Sequence, residues 1–374
     1  MYHHQFGIIL FTYGLTCIFN NSTFLIFQLI NIFAVIVSFY CIYKTIEIYT
    51  ENKEISKYVL FLLLLFIPYS MYITFIYGNL IGFTLSSFAI LLQAKYFKSE
   101  KIWYIFVMPI CMFVAIFLKQ NYSITLIAMI ILFITQMIFK KKVKYIIPVI
   151  LLILSYVLVN PTTDILMRSV TGLETSTGTP SNSYIAMGLQ EGDCAPGWIN
   201  NYNIRVYQYN DFNTEKAKQE SNENIKQSLT NFKNNPDYAL KFFGQKIASQ
   251  WNNPTFQCIW INQGRKSEAE YSNIEKSVLC DGVLSKVITQ YSNILQSVIL
   301  FGTVLYVIID YKKIKLPELI FAIIFIGGFI FHIIWEAKCQ YTLPYFVLII
   351  PYSVIGYYKM ACKFEKKVYK SGKI

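Results

Sequence analysis

Charged residues are scarce in this chain. Acidic and basic residues together make up 14% of the 374 positions, whereas an ordinary soluble domain has about a quarter. Hydrophobic residues make up 55% and aromatic residues 17%, and the mean hydropathy is +0.43. This composition excludes a soluble protein, because so few polar groups cannot keep so much apolar surface in water.

Several chemical motifs are missing as well. The three histidines (His3, His4 and His332) have no metal-ligand spacing, and the eight cysteines include no CxxC pair, so the sequence predicts no zinc site. It also contains no glycine-rich phosphate loop, no Ser/His/Asp pattern and no internal repeat. No cofactor is predicted, and dependence on a divalent metal is left open.

Long apolar segments are abundant instead. A helix of about 20 apolar residues crosses a hydrocarbon layer of ~30 Å. Nine segments are predicted to be transmembrane helices: 23–43, 58–76, 80–97, 102–118, 122–139, 145–160, 291–310, 319–335 and 341–358. A polar insert of about 130 residues, 161–290, separates the sixth segment from the seventh.

The sequence therefore predicts an all-α polytopic membrane protein with about nine transmembrane helices and one large, mainly helical extracytoplasmic insert. Residues 1–160 form an N-terminal membrane domain, 161–290 the insert, and 291–374 a C-terminal membrane domain of three spans with a basic cytoplasmic tail. The insert contains Cys194, Cys258 and Cys280. One disulfide is compatible with these positions, for example between the last two, but their spacing does not fix the pairing.

The distribution of basic residues predicts the orientation. If the nine spans alternate, 19 of the 33 basic residues lie on one side, and the positive-inside rule makes that side cytoplasmic. The insert, with 12 basic and 13 acidic residues, then lies outside the cell membrane, and the C-terminus lies in the cytoplasm. The net charge of +12 thus reflects topology, and no nucleic-acid partner is predicted.

The same orientation places the N-terminus outside. The opening MYHHQFGIILFTYGLTCIFNN has no basic n-region and no cleavage site, so it is not a typical signal peptide. Its apolar run, roughly 7–19, is short for a span and is expected to lie along the outer interface. An outer N-terminus without a targeting helix leads us to expect that the chain begins one helix late.

The short outer loops contain almost no charge. Their sequences are YGN at 77–79, LKQN at 118–121 and WEAKCQ at 335–340, and their only charged residues are Lys119, Glu336 and Lys338. Charge beside a span is costly and needs a reason. One explanation is lysines that snorkel at helix ends, together with a Glu336–Lys338 ion pair. The other is that both lysines bind the phosphate of an anionic lipid.

Two neighbouring side chains are predicted to complete this cleft. His332 precedes Glu336 by one helical turn, so both are expected to point into one cleft. The hydroxyl of Tyr341 is expected at the edge of that cleft.

Five segments resemble bacterial GT-C-type membrane glycosyltransferases, the relatives of protein O-mannosyltransferases and aminoarabinose transferases, and in particular Gram-positive members. They are YHHQFGIILFTYGLTCIF, FLKQN, GWINNYNI, SQWNNPTFQCIWINQ and WEAKCQYTLPYFVLIIPY. The resemblance spans nearly the whole chain as a pattern of weak motifs. It implies a polyprenyl-phosphate-linked sugar as donor and a cell-envelope polymer or lipid as acceptor on the outer face.

The resemblance also bears on the catalytic residues. The acidic residue typical of the family lies in the first outer loop, upstream of this chain's start, so the resemblance leaves open whether this chain is active or is truncated and inactive. Glu336 is the carboxylate left in the short loops to accept the proton of an acceptor hydroxyl. Lys119 and Lys338 have the charge needed to stabilise a leaving phosphate. The other predicted substrate-binding residues are Gln120, Asn121, Tyr341, His332, His4 and Gln5.

Two other functional classes share parts of this pattern. A polymerase or ligase of surface polysaccharides would also have many spans, a large outer loop and lipid-linked substrates. A lipid or solute transporter would usually show inverted repeats, broken helices at mid-depth and buried charges. The predicted spans show almost no charge at mid-depth and no repeat, which disfavours transport. A purely structural membrane protein is a further alternative.

Overall fold

The structure is a computed structural model that describes residues 2–172, 178–263 and 270–371, with side chains described as far as residue 365. Within those ranges every regular element is helical and there is no strand. The helices are α1 Phe6–Phe19, α2 Thr23–Thr50, α3 Lys53–Leu65, α4 Ile67–Ser70, α5 Asn79–Ser99, α6 Trp103–Leu118, α7 Ser123–Lys140, α8 Ile146–Val157, α9 Val159–Thr171, α10 Ser181–Gly188, α11 Tyr202–Tyr209, α12 Thr214–Asn234, α13 Pro236–Trp251, α14 Asn273–Leu279, α15 Val283–Asp310, α16 Ile320–Ile334 and α17 Leu343–Ser371.

Each of the nine predicted spans corresponds to one helix or to a pair of consecutive helices. Seven helical runs in the described chain are long and apolar enough to cross a membrane, or up to eight if a bent pair counts as one span. The pair is α3 with Ile67–Thr74, bent by 61°. The remaining predicted span, 102–118, is α6, which is apolar but has only 16 residues. The chain is thus a multi-pass membrane protein by helix length and composition.

The opening apolar helix folds back on its neighbour. The run His3–Thr50 contains 48 residues, yet the rings of Phe11 and Phe27 lie 5.7 Å apart. Sixteen residues of straight helix would separate them by about 24 Å. The turn is made at Asn20, whose φ of 47° ends α1. Helix α1 therefore packs on the start of α2 instead of extending it.

The bent span has a local cause and a filled interior. Helix α3 ends at Leu65, and Phe66 is the single residue between it and α4, which begins with Ile67 and Pro68. The Phe66 ring is fully buried and lies 5.8 Å from the rings of both Phe256 and Phe346. The hydroxyl of Tyr291 donates to the carbonyl oxygen of Leu65 at 2.9 Å, which satisfies a backbone group freed by the bend.

The two ends of the bundle differ. At the end we call the lysine end, Glu100 pairs with Lys142 and Lys144 at 2.8 and 2.5 Å. The opposite end, which we call the cleft end, contains the loops 77–79, 118–122 and 335–342. The loops meet closely there, since a Cβ on Gly78 would lie 2.4 Å from the carbonyl oxygen of Leu118.

The polar insert contains helices α10 to α14, and part of it enters the bundle. Phe256 and Cys258 are fully buried, and the hydroxyl of Tyr72 donates to the carbonyl oxygen of Phe256. All eight cysteines are free thiols in the structure. The disulfide that the sequence left open, Cys258 with Cys280, is therefore not formed.

Helix α13 begins at Pro236, directly after Asn235. Its residues with the least exposure are Phe242, Lys246 and Gln250. Trp251, at the end of the helix, packs on the rings of Phe325 and Phe329. The helix therefore turns a lysine and a glutamine, together with aromatic rings, towards the rest of the protein.

Candidate functional site

A cavity of about 370 Å³ opens at the cleft end. The N-terminal turn, three interhelical loops, α9 and α10 contribute to its walls. It is lined by His3, His4, Tyr77, Lys119, Gln120, Asn121, Tyr156, Asn160, Thr179, Ser181, Tyr184, Trp335, Glu336 and Tyr341. Most of these side chains carry a hydroxyl, amide or ring N–H group, so the cavity suits a polar ligand of moderate size.

A second pocket of about 240 Å³ adjoins the cavity. The two share five wall residues: Gln120, Asn121, Tyr156, Asn160 and Trp335. The second pocket adds apolar side chains from α6, α7, α9 and α16, namely Ile116, Ile124, Val159 and Phe331. A polar chamber thus continues into a groove with mixed polar and apolar walls between α6, α7, α9 and α16.

Lys119 is the buried cation of the polar chamber. Helix α6 ends at Leu118, and the extended backbone of Lys119 (φ −158°, ψ 110°) turns its side chain inward. The residue is 8% exposed, and its ammonium lies 2.5 Å from Oδ1 of Asn79. The rings of Tyr77 and Tyr341 lie 5.1 and 5.5 Å from the same nitrogen. Two cation–π contacts and one amide oxygen therefore surround the charge.

The electrostatics of Lys119 favour an anionic ligand. Burial, and secondarily the charge of Lys338, lower the pKa of Lys119 to about 7. Among the described residues Lys119 makes no ion pair, and Nδ2 of the buried Asn79 has no hydrogen-bond partner. Buried donors are normally satisfied. Of these two groups, the ammonium of Lys119 lies on the cavity wall and is the one placed to contact an oxyanion.

Glu336 lies in the cavity wall with a charged neighbour. Its side chain is 5% exposed, and Oε1 lies 2.8 Å from Nζ of Lys338. The two side chains form an ion pair, but Oε1 of Glu336 does not meet the geometry of a hydrogen bond. Lys338 itself is not part of the cavity lining. The structure thus brings Lys119 and Glu336 together, and a phosphate contact by Lys338 stays a prediction.

The expected cleft position of His332 differs from its place in the structure. His332 is 1% exposed and does not line the cavity. Its ring stacks on that of Tyr341, with the ring centroids 5.7 Å apart. The one-turn spacing to Glu336 does not apply, because α16 ends at Ile334 and Trp335 is extended (ψ 164°).

Of the other predicted substrate-binding residues, some line the cavity and one does not. His4, Gln120, Asn121 and Tyr341 line the cavity, whereas Gln5 does not. The ring of His4 meets that of Tyr184 edge-on at 5.5 Å. The backbone N–H of Gln5 donates to the carbonyl oxygen of Tyr2 at 3.0 Å, which closes the turn before α1.

Several lining residues were missed at the sequence level. Tyr77 and Asn79 belong to the YGN loop, whose lack of charge hid them. Burial, and secondarily the charge of Glu336, raise the pKa of Tyr77 to about 12, so its hydroxyl stays a donor. Tyr184 and Trp335 stack in parallel at 5.5 Å. They are 151 positions apart, and no local pattern could have paired them.

Lys246 was missed as well, and it supports the site from behind. The residue is 1% exposed, and its ammonium donates to the carbonyl oxygens of Gly188, Ile333 and Trp335. Two of these carbonyls belong to the end of α16 and the residue after it. Burial lowers the pKa of Lys246 to about 7, while the charge of Glu336 acts in the opposite direction. Lys246 therefore fixes the start of the loop that contains Glu336.

Comparison with known proteins provides no relative. No protein-family model, no curated protein and no solved structure matches this chain.

Proposed function

We propose that this chain is an integral-membrane glycosyltransferase that moves a sugar from a polyprenyl-phosphate donor to a cell-envelope acceptor. The observation that carries the proposal is the buried ammonium of Lys119, which has an unsatisfied amide N–H of Asn79 beside it. Together these donors match the oxyanion of a phosphate ester. In this proposal the cleft end faces outside the cell membrane and the lysine end faces the cytoplasm, as the distribution of basic residues favours.

The two connected pockets suit the two parts of such a donor. An isoprenoid chain is apolar and lies in the groove beside Ile116, Ile124 and Phe331. The phosphate then lies at the junction, near Lys119 and the shared residues Gln120 and Asn121. The sugar occupies the chamber of about 370 Å³. There amides, phenols and the stacked ring of Trp335 offer hydrogen bonds and an apolar face.

The chemistry that follows is glycosyl transfer with a phosphate leaving group. Negative charge grows on the phosphate oxygen as the bond to the sugar breaks, and a preorganised ammonium stabilises that charge. Positive charge grows at the anomeric carbon, as in glycosidases, and a nearby carboxylate stabilises it. Lys119 supplies the first interaction and Glu336 the second. Lys338 holds Glu336 in place.

A transporter is less consistent with the bent span. Transporters place substrates at helix breaks lined by free backbone groups and charges. Here the break at Phe66 is filled by the rings of Phe256 and Phe346, and the carbonyl of Leu65 is satisfied. A polymerase or ligase of surface polysaccharides uses similar lipid-linked donors. Its loss shortens the polymer, whereas loss of a transferase removes one sugar decoration at unchanged chain length.

The test is binding of a long-chain polyprenyl phosphate to the full chain in nanodiscs. Loss of a charge-assisted hydrogen bond costs about 1.5–3 kcal/mol, roughly tenfold to a hundredfold in affinity. Lys119→Met should weaken binding by that factor, and Lys119→Arg should weaken it less because the charge remains. Lys57→Met, an exposed lysine at the lysine end, serves as the control.

Uncharged polyprenol provides the second arm of the experiment. In the parent, polyprenol should bind more weakly than polyprenyl phosphate, because only the phosphate contacts the ammonium. The affinity of polyprenol itself should be the same for the parent and for Lys119→Met. Equal affinity of the parent and Lys119→Met for the phosphate would show that this lysine is merely buried, and the proposal would fall.

A further inference from the structure

The N-terminal turn brings a second acid–base pair to the cavity. Nε2 of His3 lies 2.7 Å from Oδ1 of Asp164, in α9, and the two residues are 161 positions apart. Both side chains are partly buried, at 19% and 37% exposure. A carboxylate that accepts from Nε2–H selects that tautomer, and Nδ1 is then the proton-accepting nitrogen of the ring.

Close packing holds this turn in place. A Cβ on Gly7, at the start of α1, would lie 1.8 Å from the carbonyl oxygen of Phe117. Only glycine permits α1 to approach the end of α6 this closely. The contact lies two residues before Lys119 along the chain. His3 is thereby held in the wall of the same cavity as Lys119 and Glu336.

The two carboxylates near the cavity are placed for different tasks. Glu336 has an ammonium 2.8 Å away, which offsets the negative charge that would attract a proton. Asp164 has an imidazole at a similar distance, and a carboxylate in that position orients the ring and stabilises its protonated form. The pair His3–Asp164 therefore has the geometry of a base and its orienting group.

We propose that His3, oriented by Asp164, is the base that accepts the proton of the acceptor hydroxyl; this rests on the glycosyltransferase function proposed above. The hydroxyl proton moves to Nδ1 of His3 while the acceptor oxygen bonds to the anomeric carbon. The bond from that carbon to the phosphate oxygen breaks, and its electron pair stays on the phosphate beside Lys119. His3 then returns its proton to water, so no further reactant is needed.

The proposal implies an acid limb in the pH–rate profile, because a protonated imidazole cannot accept the proton. The charged and titratable residues that share the cavity wall with His3 are His4, Lys119, Glu336, Tyr77, Tyr156, Tyr184 and Tyr341. Tyr2 precedes His3 on the same turn, and Arg168 follows Asp164 by one helical turn on α9.

The transfer experiment uses the full chain in nanodiscs, with a panel of radiolabelled polyprenyl-phosphate hexoses as donors and a cell-envelope fraction as acceptor. General-base catalysis contributes about 10²- to 10⁴-fold. His3→Gln should therefore lower transfer at least about a hundredfold and abolish the acid limb. Its affinity for polyprenyl phosphate should stay within about twofold of the parent. Asp164→Asn should show a smaller loss of transfer, and the exposed Asp237→Asn should change neither transfer nor affinity.

A spectroscopic arm tests the pair without turnover. The chain contains three histidines, so ¹⁵N-histidine labelling and single substitutions assign every ring signal. The ring of His3 should show the Nε2-protonated tautomer in the parent and a mixture of tautomers in Asp164→Asn.

The outcomes separate this proposal from the proposed function. A parent that binds no polyprenyl phosphate overturns both. A parent that binds and transfers, with His3→Gln retaining its rate and acid limb, overturns only the assignment of His3. A His3 ring with no tautomer preference also overturns it, whichever donor is used.

Discussion

Both ends of the bundle contain ion pairs, but the cleft end also contains a buried lysine, Lys119, in addition to its Glu336–Lys338 pair. At the lysine end, carboxylates pair with lysines: Glu100 with Lys142 and Lys144, and Asp310 with Lys359. At the cleft end, Lys119 is 8% exposed with an amide and two aromatic rings as neighbours. Paired charges at a helix end stabilise packing modestly. A buried charge without a counter-ion is costly, and a binding site is the usual reason to keep one.

Lys246 offers the largest expected effect, because it is a buried lysine whose role is structural. Lys246→Met should leave the carbonyls of Gly188, Ile333 and Trp335 without their donor. Unsatisfied buried groups cost about 1–3 kcal/mol each, so the free energy of unfolding should fall by about 3 kcal/mol or more. Thermal or denaturant unfolding in detergent measures the change. Lys241→Met, exposed on the same helix, is the matched control and should change little.

Lys119 and Lys246 are both buried, and we expect their methionine variants to differ in stability. Lys119→Met should lose phosphate binding and should lose less stability than Lys246→Met, because it leaves only one buried acceptor, Oδ1 of Asn79, without its donor and also relieves the burial of a charge. A destabilisation of Lys119→Met equal to that of Lys246→Met would show that Lys119 is also a structural residue.

The pH dependence of phosphate binding is the next largest expected effect. Burial lowers the pKa of Lys119 to about 7, so the free protein has a charged ammonium below that pH and a neutral amine above it. The anion binds the charged form, and its affinity should fall as the pH rises through 7, by up to tenfold per unit. Titrations of polyprenyl phosphate above about pH 7 avoid the second ionisation of the phosphate near 6.

Lys119→Arg provides the matched variant for this titration. Arginine stays charged throughout, so its affinity should be independent of pH in the same range. A parent profile as flat as that of Lys119→Arg would contradict the expected proton linkage.

The sequence predicted the parts of this fold that depend on local pattern. The nine apolar runs matched helices or pairs of consecutive helices. Three features were not predictable because they depend on tertiary contacts: the fold-back of α1 at Asn20, the inward face of α13 at Lys246, and the end of α16 before Glu336. That last feature explains why His332 and Glu336 do not share a cleft.

In the candidate site, too, the sequence identified some residues and missed those that depend on tertiary contacts. Lys119, Glu336 and Tyr341 were found because charge is rare in the short loops. Asn79 and Tyr184 carry no such signal and meet the cavity only through packing. The pair His3–Asp164 joins residues 161 positions apart, and the local pattern of a single sequence contains no information on such a contact.

Replacing Glu100, at the lysine end, should have the smallest effect on stability and on phosphate affinity. It accepts from Lys142 and Lys144 at the lysine end, and these two contacts lower its pKa to about 2. The three side chains are 30–47% exposed, and ion pairs that solvent reaches contribute little. Glu100→Gln should therefore shift the melting temperature by no more than about 2 °C and leave the affinity for polyprenyl phosphate within about twofold. A large loss of affinity in Glu100→Gln would mean that the two ends are coupled, and the assignment of binding to the cleft end alone would be wrong.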